Sequence, residues 1–207
     1  MGNRGRFGKY GEIKRLDRLR RSRIVTPLSS EDNRRKRFRP RQSLGQALHK
    51  EVRVTVRPAS DNEFRFIKRL SYKLFNIYGP YEEIISKWFE SDMAMTLIAL
   101  IDGQPVGFAM FGDLFNRYDV QHVVELLAIG VDPIKQGRGV GAFLLKELER
   151  KAADLGVKMI FLHTAMNNVH ARRLFTRSGY RAVEIKRDFY PKGQDAIVMF
   201  KEPSNIC

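Results

Sequence analysis

Three apolar segments of strand length follow one another between Ala94 and Val131, and they restrict the fold more than any other feature of the chain. "MTLIALIDGQPVGFAMFGD" reads as two strands around the "DGQP" turn at Asp102 to Pro105, and "VVELLAIGV" at 123 to 131 reads as a third. Strands joined by so short a turn pair antiparallel, so the middle of the chain is expected to form a meander.

The flanking segments supply helices for both faces of that sheet. "EVRVTVRPAS" alternates Val52, Val54 and Val56 as a half-buried strand does, and "SDNE" then offers a capping-type helix start. The helix runs to about Asn76 with Phe64, Ile67, Leu70 and Leu74 on one face. A second helix follows the "YGP" break at Tyr78 to Pro80 and carries Ile84, Ile85 and Trp88. After the meander come a helix "AFLLKELERKAADLG" closed by Gly156, a strand "VKMIFLH", a helix "NVHARRLFTRSG" ended by Gly179, and two strands around "PKGQD". The order β-α-α-β-β-β-α-β-α-β-β is an α/β sandwich: a mixed, mostly antiparallel seven-stranded sheet with about four helices.

Charge divides the chain in two. Residues 1 to 50 hold 16 Lys and Arg against 4 Asp and Glu, a surplus of 12, whereas the remainder holds 22 against 19. The first 50 residues read as a basic, largely disordered arm with one short helical stretch, where Ile13, Leu16 and Leu19 recur every three residues. Residues 51 to 207 read as one domain. The arm is either a solvated tail or a contact for RNA or the ribosome through phosphates, with membrane surface or targeting as further readings. Glu12, Asp17, Glu31 and Asp32 speak against an organelle transit peptide.

The only cysteine, Cys207, excludes an internal disulfide and a cysteine-based metal cluster and suits a reducing compartment, so a cytoplasmic location is expected. The apolar run "AMTLIALI" stops at Asp102 and is too short to span a bilayer, so no membrane partner is expected. No ligand cluster suggests a metal.

"QGRGVG", Gln136 to Gly141, places three glycines directly before a helix. A helix N-terminus presents unpaired N–H groups and the positive end of its dipole, and glycines let that backbone curl against an anion, so a phosphate is the expected ligand. A nucleotide P-loop is excluded because no Gly-Lys-Ser/Thr closes the loop. "GRGVGA" fits the dinucleotide pattern G-x-G-x-x-G/A, but three expected antiparallel strands precede it instead of the first strand of a parallel unit.

The register Gln136-x-x-Gly139-x-Gly141 resembles the pyrophosphate loop of the GCN5-related N-acetyltransferase (GNAT) family. "VELLAIGVDP" resembles that family's splayed fourth strand, and the pattern N-x-x-A-x-x-L-F-x-x-x-G-Y at Asn168 to Tyr180 resembles its last helix. The likeness covers about residues 51 to 202, and "KRDFYPKGQDAIVMF" is similar to the end of the branch that acetylates the N-terminal alanine of a ribosomal protein.

The resemblance implies acetyl-CoA as co-substrate. Its pantetheine arm would lie along the parted fourth strand at Ile129 and Val131, and its pyrophosphate on the amides of Gly137, Arg138, Gly139, Val140, Gly141 and Ala142, with Gln136 opening the cofactor-binding loop. Asn168 matches a cofactor-contacting residue, though Asn is favoured as a helix N-cap in any case. Amine acetylation needs a base and support for the developing oxyanion, the latter available from fourth-strand amides. Glu125, a carboxylate in an otherwise apolar strand, occupies the base position of the histone-acetylating branch; its plainer reading is an ion-paired strand residue. His163 stands where the ribosomal-protein branch keeps a glutamate, and is either a base or a structural histidine.

Phe175 replaces the tyrosine that protonates the departing thiolate in many members, and phenylalanine has no proton to give. A thiolate of pKa about 8.5 can leave unassisted or with help from water or Tyr190. Phe189 and Tyr190 are expected to flank the acceptor slot; Tyr78, Tyr81 and Trp88 either line its other side or pack in the core.

The expected function is acetyl transfer to a primary amine of a protein or peptide. An α-amine of pKa about 8 is roughly 10% neutral at pH 7, against about 0.04% for lysine, which favours the α-amine. A small-molecule amine is the alternative acceptor. Phe175 and the basic arm leave open a non-catalytic acyl-CoA-binding or ribosome-associated module.

Overall fold

The computed structural model describes residues 53–91, 94–112 and 122–202. The basic arm lies outside the described residues. Seven strands alternate with four helices: β1 Val54–Pro58, α1 Phe64–Phe75, α2 Tyr81–Glu90, β2 Met95–Ile101, β3 Gln104–Gly112, β4 Val123–Val131, α3 Val140–Asp154, β5 Met159–Ala165, α4 Val169–Arg177, β6 Arg181–Lys186 and β7 Ala196–Lys201. The sequence order of elements holds; the first and fifth strands sit two residues later than their patterns suggested.

Local chemistry sets the element ends. Ser60 N–H and Oγ both donate to Glu63 Oε2 at 2.8 Å, a capping box that launches a single 3-10 turn and then α1. Gly156 (φ +78°) ends α3 in the left-handed region that only glycine enters freely.

The strands form one sheet in the order β1-β2-β3-β4-β5-β7-β6. β4 and β5 run parallel and all other neighbours antiparallel. α3 and α4 cover one face, where Leu144, Leu145, Leu148 and Phe175 pack on Leu97, Ala109, Phe111, Leu126 and Leu162. α1 and α2 cover the other, where Ile67, Leu70 and Ile85 pack on Ile98, Phe108 and Met110. Burial of these side chains, each worth about 1.5–3 kcal/mol, holds the layers together. Trp88 belongs to this second core.

β4 carries the feature that prepares the site. Met110 pairs with Ala128 but Phe111 with Leu126, so Leu127 is an extra residue bulging from the strand. Side-chain parity reverses there: Val124 and Leu126 face α3 and α4, and beyond the bulge Ile129 and Val131 take that face, while Ala128 joins the α1–α2 core. Among the described residues no helix is long and apolar enough to cross a membrane.

Candidate active site

The parallel pairing of β4 with β5 runs from Val123↔Met159 to Leu126↔Leu162 and stops at the bulge. β5 continues beside β7 to Ala165↔Ala196, and β4 continues beside β3 to Gly107↔Val131. The edges of residues 127–131 and 163–165 that face each other are therefore parted. A strand edge opened in this way offers N–H and C=O groups to an extended ligand.

At the mouth of this seam the chain turns into α3. Asp132 Oδ1 accepts from Ile134 N–H at 3.1 Å and fixes a 3-10 turn over Pro133–Lys135. Gln136 is a brace: its Nε2 donates to the Val131 carbonyl at 2.9 Å, and its own N–H goes to Pro133 O at 3.3 Å. The donors open to an anion thus begin after Gln136, and the carbonyl of Val131 is already engaged. Gly137 (φ +73°) and Gly139 (φ +80°) lie in the left-handed region, and a Cβ on either would meet nothing within 4 Å. Glycine adopts this left-handed backbone without strain, which lets the loop curl ahead of the helix.

Gly139 is the N-cap of α3 and no side chain caps it. Phe143 N–H makes the first helical bond, to Gly139 O at 3.0 Å, so the amides of Val140, Gly141 and Ala142 precede the helical ladder. Arg138 is exposed beside them. Unpaired amides, a helix dipole and a nearby guanidinium suit a diphosphate in charge and shape. The residues present fit the pyrophosphate end of coenzyme A, and the open seam fits its extended arm.

Asn168 stands where β5 gives way to α4. Its N–H donates to Ala165 O at 2.9 Å, and its Oδ1 accepts from Ala171 N–H at 3.1 Å, so it caps the helix. Its side chain lies beside the Tyr78 hydroxyl. The capping duty and a place at the open seam coexist in one residue.

Glu125 and His163 come together on the α1–α2 face of the seam. Glu125 opposes Phe161 in the parallel register, and His163, two residues further along β5, points to the same face. His163 Nδ1 lies 2.7 Å from Glu125 Oε1, with side chains 7% and 9% exposed. Phe189 stacks on the imidazole at 4.5 Å and 9°, and Phe161 meets it edge-on at 6.0 Å. His163 Nε2 and Glu125 Oε2 are buried and have no hydrogen-bond partner among the described residues. An ionised carboxylate only accepts, so Nδ1 donates within this pair, and in the neutral imidazole Nε2 is then the nitrogen with the lone pair. Two candidates that the sequence offered as alternatives form a single unit, 38 positions apart in the chain.

Phe189 continues into an aromatic cluster. Tyr190 is buried and its ring centroid lies 4.9 Å from Tyr78, 5.7 Å from Tyr81 and 5.1 Å from Phe189. Two loops carry these rings and are tied together: Lys192 Nζ donates to Asn76 O and Gln194 Nε2 to Ile77 O, both at 2.7 Å. Pro191 packs on Gly79, where a Cβ would come within 2.8 Å. Phe175 lies in the α3–α4 core against Tyr180, ring centroids 5.7 Å apart. Neither the Leu127 bulge nor the Phe189–His163 stack is legible in the sequence; only the aromatic pair "FY" hints at the second.

Comparison with known proteins agrees with this geometry. The chain is 28% identical over 153 residues to an uncharacterized N-acetyltransferase of Methanocaldococcus jannaschii, covering 73% of this chain and 94% of that one. It is 40% identical over 84 residues to a spermine/spermidine N(1)-acetyltransferase of Bacillus subtilis, covering 39% of this chain and 55% of the relative. An N-alpha-acetyltransferase of Mycobacterium tuberculosis is 38% identical over 101 residues, covering 48% and 61%. The chain thus spans little more than half of those two relatives. A GNAT family acetyltransferase of Elizabethkingia anophelis, solved with acetyl-CoA bound, superposes with a TM-score of 0.59 at 20% identity over 72% of this chain and 97% of that one, a likeness of fold. The model of the acetyltransferase (GNAT) family matches residues 62–180, and with the parted β4–β5 seam and its glycine cradle this establishes that the chain belongs to that family.

Proposed function

We propose that this acetyltransferase transfers the acetyl group of acetyl-CoA to a primary amine of a protein or peptide, an N-terminal α-amine in preference to lysine. The observation that carries the reading is the buried Glu125–His163 pair at the end of β4–β5 pairing, roofed by the aromatic rings of two interlocked loops.

Acetyl-CoA supplies a thioester, and the chain supplies the rest. The amides from Gly137 to Ala142, with Arg138, hold the diphosphate, and the open edge around Ile129 and Val131 lies along the pantetheine arm. His163 Nε2 accepts the proton of the attacking amine, directly or through a water, and Glu125 orients the ring and stabilises the imidazolium that forms. This assigns proton transfer to the pair, with Glu125 as its anionic member. The amides next to the Leu127 bulge, where the ladder is interrupted, are the proposed support for the oxyanion.

The acceptor wall favours a peptide over a polyamine. A polyamine carries several cations and calls for carboxylates, yet Glu125 is engaged by His163 and Asp195 by Arg187 and by the Asp188 N–H. Aromatic rings with polar loop backbone suit a short peptide end. The spermine/spermidine relative keeps a small-amine acceptor as the second reading. The surplus of 12 positive charges in the first 50 residues suits a phosphate-rich neighbour such as RNA or a ribosome.

The test is mass spectrometry of acetyl transfer to a panel of peptide α-amines, peptide lysines and polyamines. Acetylated α-amine is the expected product. Acetyl-CoA binding with no transfer to any amine would reduce the protein to an acyl-CoA-binding module.

A further inference from the structure

α1 buries Ile67, Leu70 and Ser71 and turns Arg65, Lys68, Arg69, Tyr72 and Lys73 to solvent. These residues recur at i, i+3, i+4, i+7 and i+8, so they form one continuous stripe along the helix. All but Tyr72 are cations, and no acidic residue lies anywhere in the helix. Tyr72, 58% exposed, sits among them, three residues after Arg69 and four after Lys68.

Local helix chemistry argues against such a stripe. Arg65 and Arg69, and Arg69 and Lys73, are like charges four residues apart, which repel, and cations near the start of a helix oppose its dipole. α3, by contrast, carries both signs and pairs Arg150 with Glu147 and Asp154. Lys73 has an ion pair, a 3.3 Å contact with Asp132. Arg65, Lys68 and Arg69 have none among the described residues. Lys68 Nζ lies over the Phe64 ring at 5.9 Å. The domain itself leaves this charge uncompensated.

The make-up of the stripe points to its partner. Arg65, Arg69 and Lys73 follow one another at intervals of about 6 Å along the helix axis, comparable to the step between neighbouring phosphates of a nucleic-acid strand. An exposed tyrosine among cations is a stacking platform for an unpaired base, and bases paired inside a duplex are not open to it. A membrane surface fits poorly. An interfacial helix inserts its apolar face, and that face of α1 is already packed on the sheet, with Ile67 0% and Leu70 3% exposed.

We infer that the solvent face of α1 is a docking surface for a single-stranded polynucleotide, with phosphates on Arg65, Lys68, Arg69 and Lys73 and a base stacked on Tyr72. The surface belongs to the folded domain, is separate in sequence from the basic first 50 residues, and does not depend on which amine is acetylated.

Fluorescence anisotropy of the full chain with single-stranded RNA and DNA oligomers over a salt series tests this, and the two oligomers tell which sugar is preferred. Arg65→Ala, Lys68→Ala and Arg69→Ala combined, alanine being a strong helix former, should lower the slope of log affinity against log salt by about 2, at about 0.7 per phosphate contact. Tyr72→Ala should weaken binding roughly tenfold and leave that slope in place, and Tyr72→Phe should bind as wild type does. CoA affinity by calorimetry stays within about twofold in every variant, which also shows that each is folded. No binding of the wild type to either oligomer, an unchanged slope in the triple variant, or a Tyr72→Ala variant that binds like wild type overturns the assignment. So does a CoA affinity that falls in step with oligomer affinity, which would make the stripe part of the cofactor site. A loss seen only with phosphatidylserine vesicles or with polyglutamate also overturns it and gives the face to a membrane or an acidic protein.

Discussion

Glu125 and His163 meet at 2.7 Å near the end of the only parallel pairing described in the sheet, with Glu125 two residues before the Leu127 bulge at which the strands part. The contact depends on register. Glu125 opposes Phe161, so the carboxylate reaches the next side chain on that face of β5, which is His163.

A double-mutant cycle tests whether the two act as one. Glu125→Gln and His163→Gln are each expected to lower kcat by about 10²–10⁴, the range for general acid–base catalysis. The double variant should lose little more than the worse single one, because residues acting as a unit are not additive. CoA affinity stays near wild type in all three. Losses that multiply would make the two groups independent.

The Phe189–His163 stack makes a second prediction. A ring stacked at 4.5 Å fixes the imidazole plane and contributes about 0.5–1.5 kcal/mol. Phe189→Leu should reduce stability by about that amount in a urea titration and lower kcat several-fold. The acetyl-CoA KM should not move.

Gly139→Ala separates binding from folding. A Cβ at this site finds open space, so the cost to the fold is the left-handed strain alone, about 1 kcal/mol. The strain falls on the backbone that presents the loop amides, and CoA affinity should fall at least about tenfold in calorimetry. A variant that binds CoA as wild type does would place the diphosphate elsewhere.

The start of α1 carries a pH dependence. The Arg57 guanidinium and the Ser60 donors hold the Glu63 carboxyl down to about 2 from an ordinary 4.5. Because the folded value is the lower one, the stabilisation is complete above about 4.5 and is lost as pH falls toward 2. Glu63→Gln should cost about 1 kcal/mol at pH 7, the scale of a helix cap. The gap from wild type should shrink when unfolding is measured at pH 3.

Much of the fold was legible because its signals are local. The "DGQP" hairpin, the Ser60–Glu63 box and the helix-ending glycines need only near neighbours, and each stands in the structure where the pattern placed it. The cradle was legible for the same reason: glycines just before a helix leave the same amides open in any fold. The sequence alone does not show that the Gln136 side chain folds back onto Val131 O.

The sequence by itself determined the order of elements, the glycine-lined helix start and the short list of groups able to move protons. Tertiary structure alone decided which of those groups meet. The Leu127 bulge ends the β4–β5 ladder, the parallel register brings Glu125 to His163, and the loop interlock sets Tyr78 beside Asn168. These relations depend on pairing between residues distant in the chain, and local propensity carries no information about such pairing.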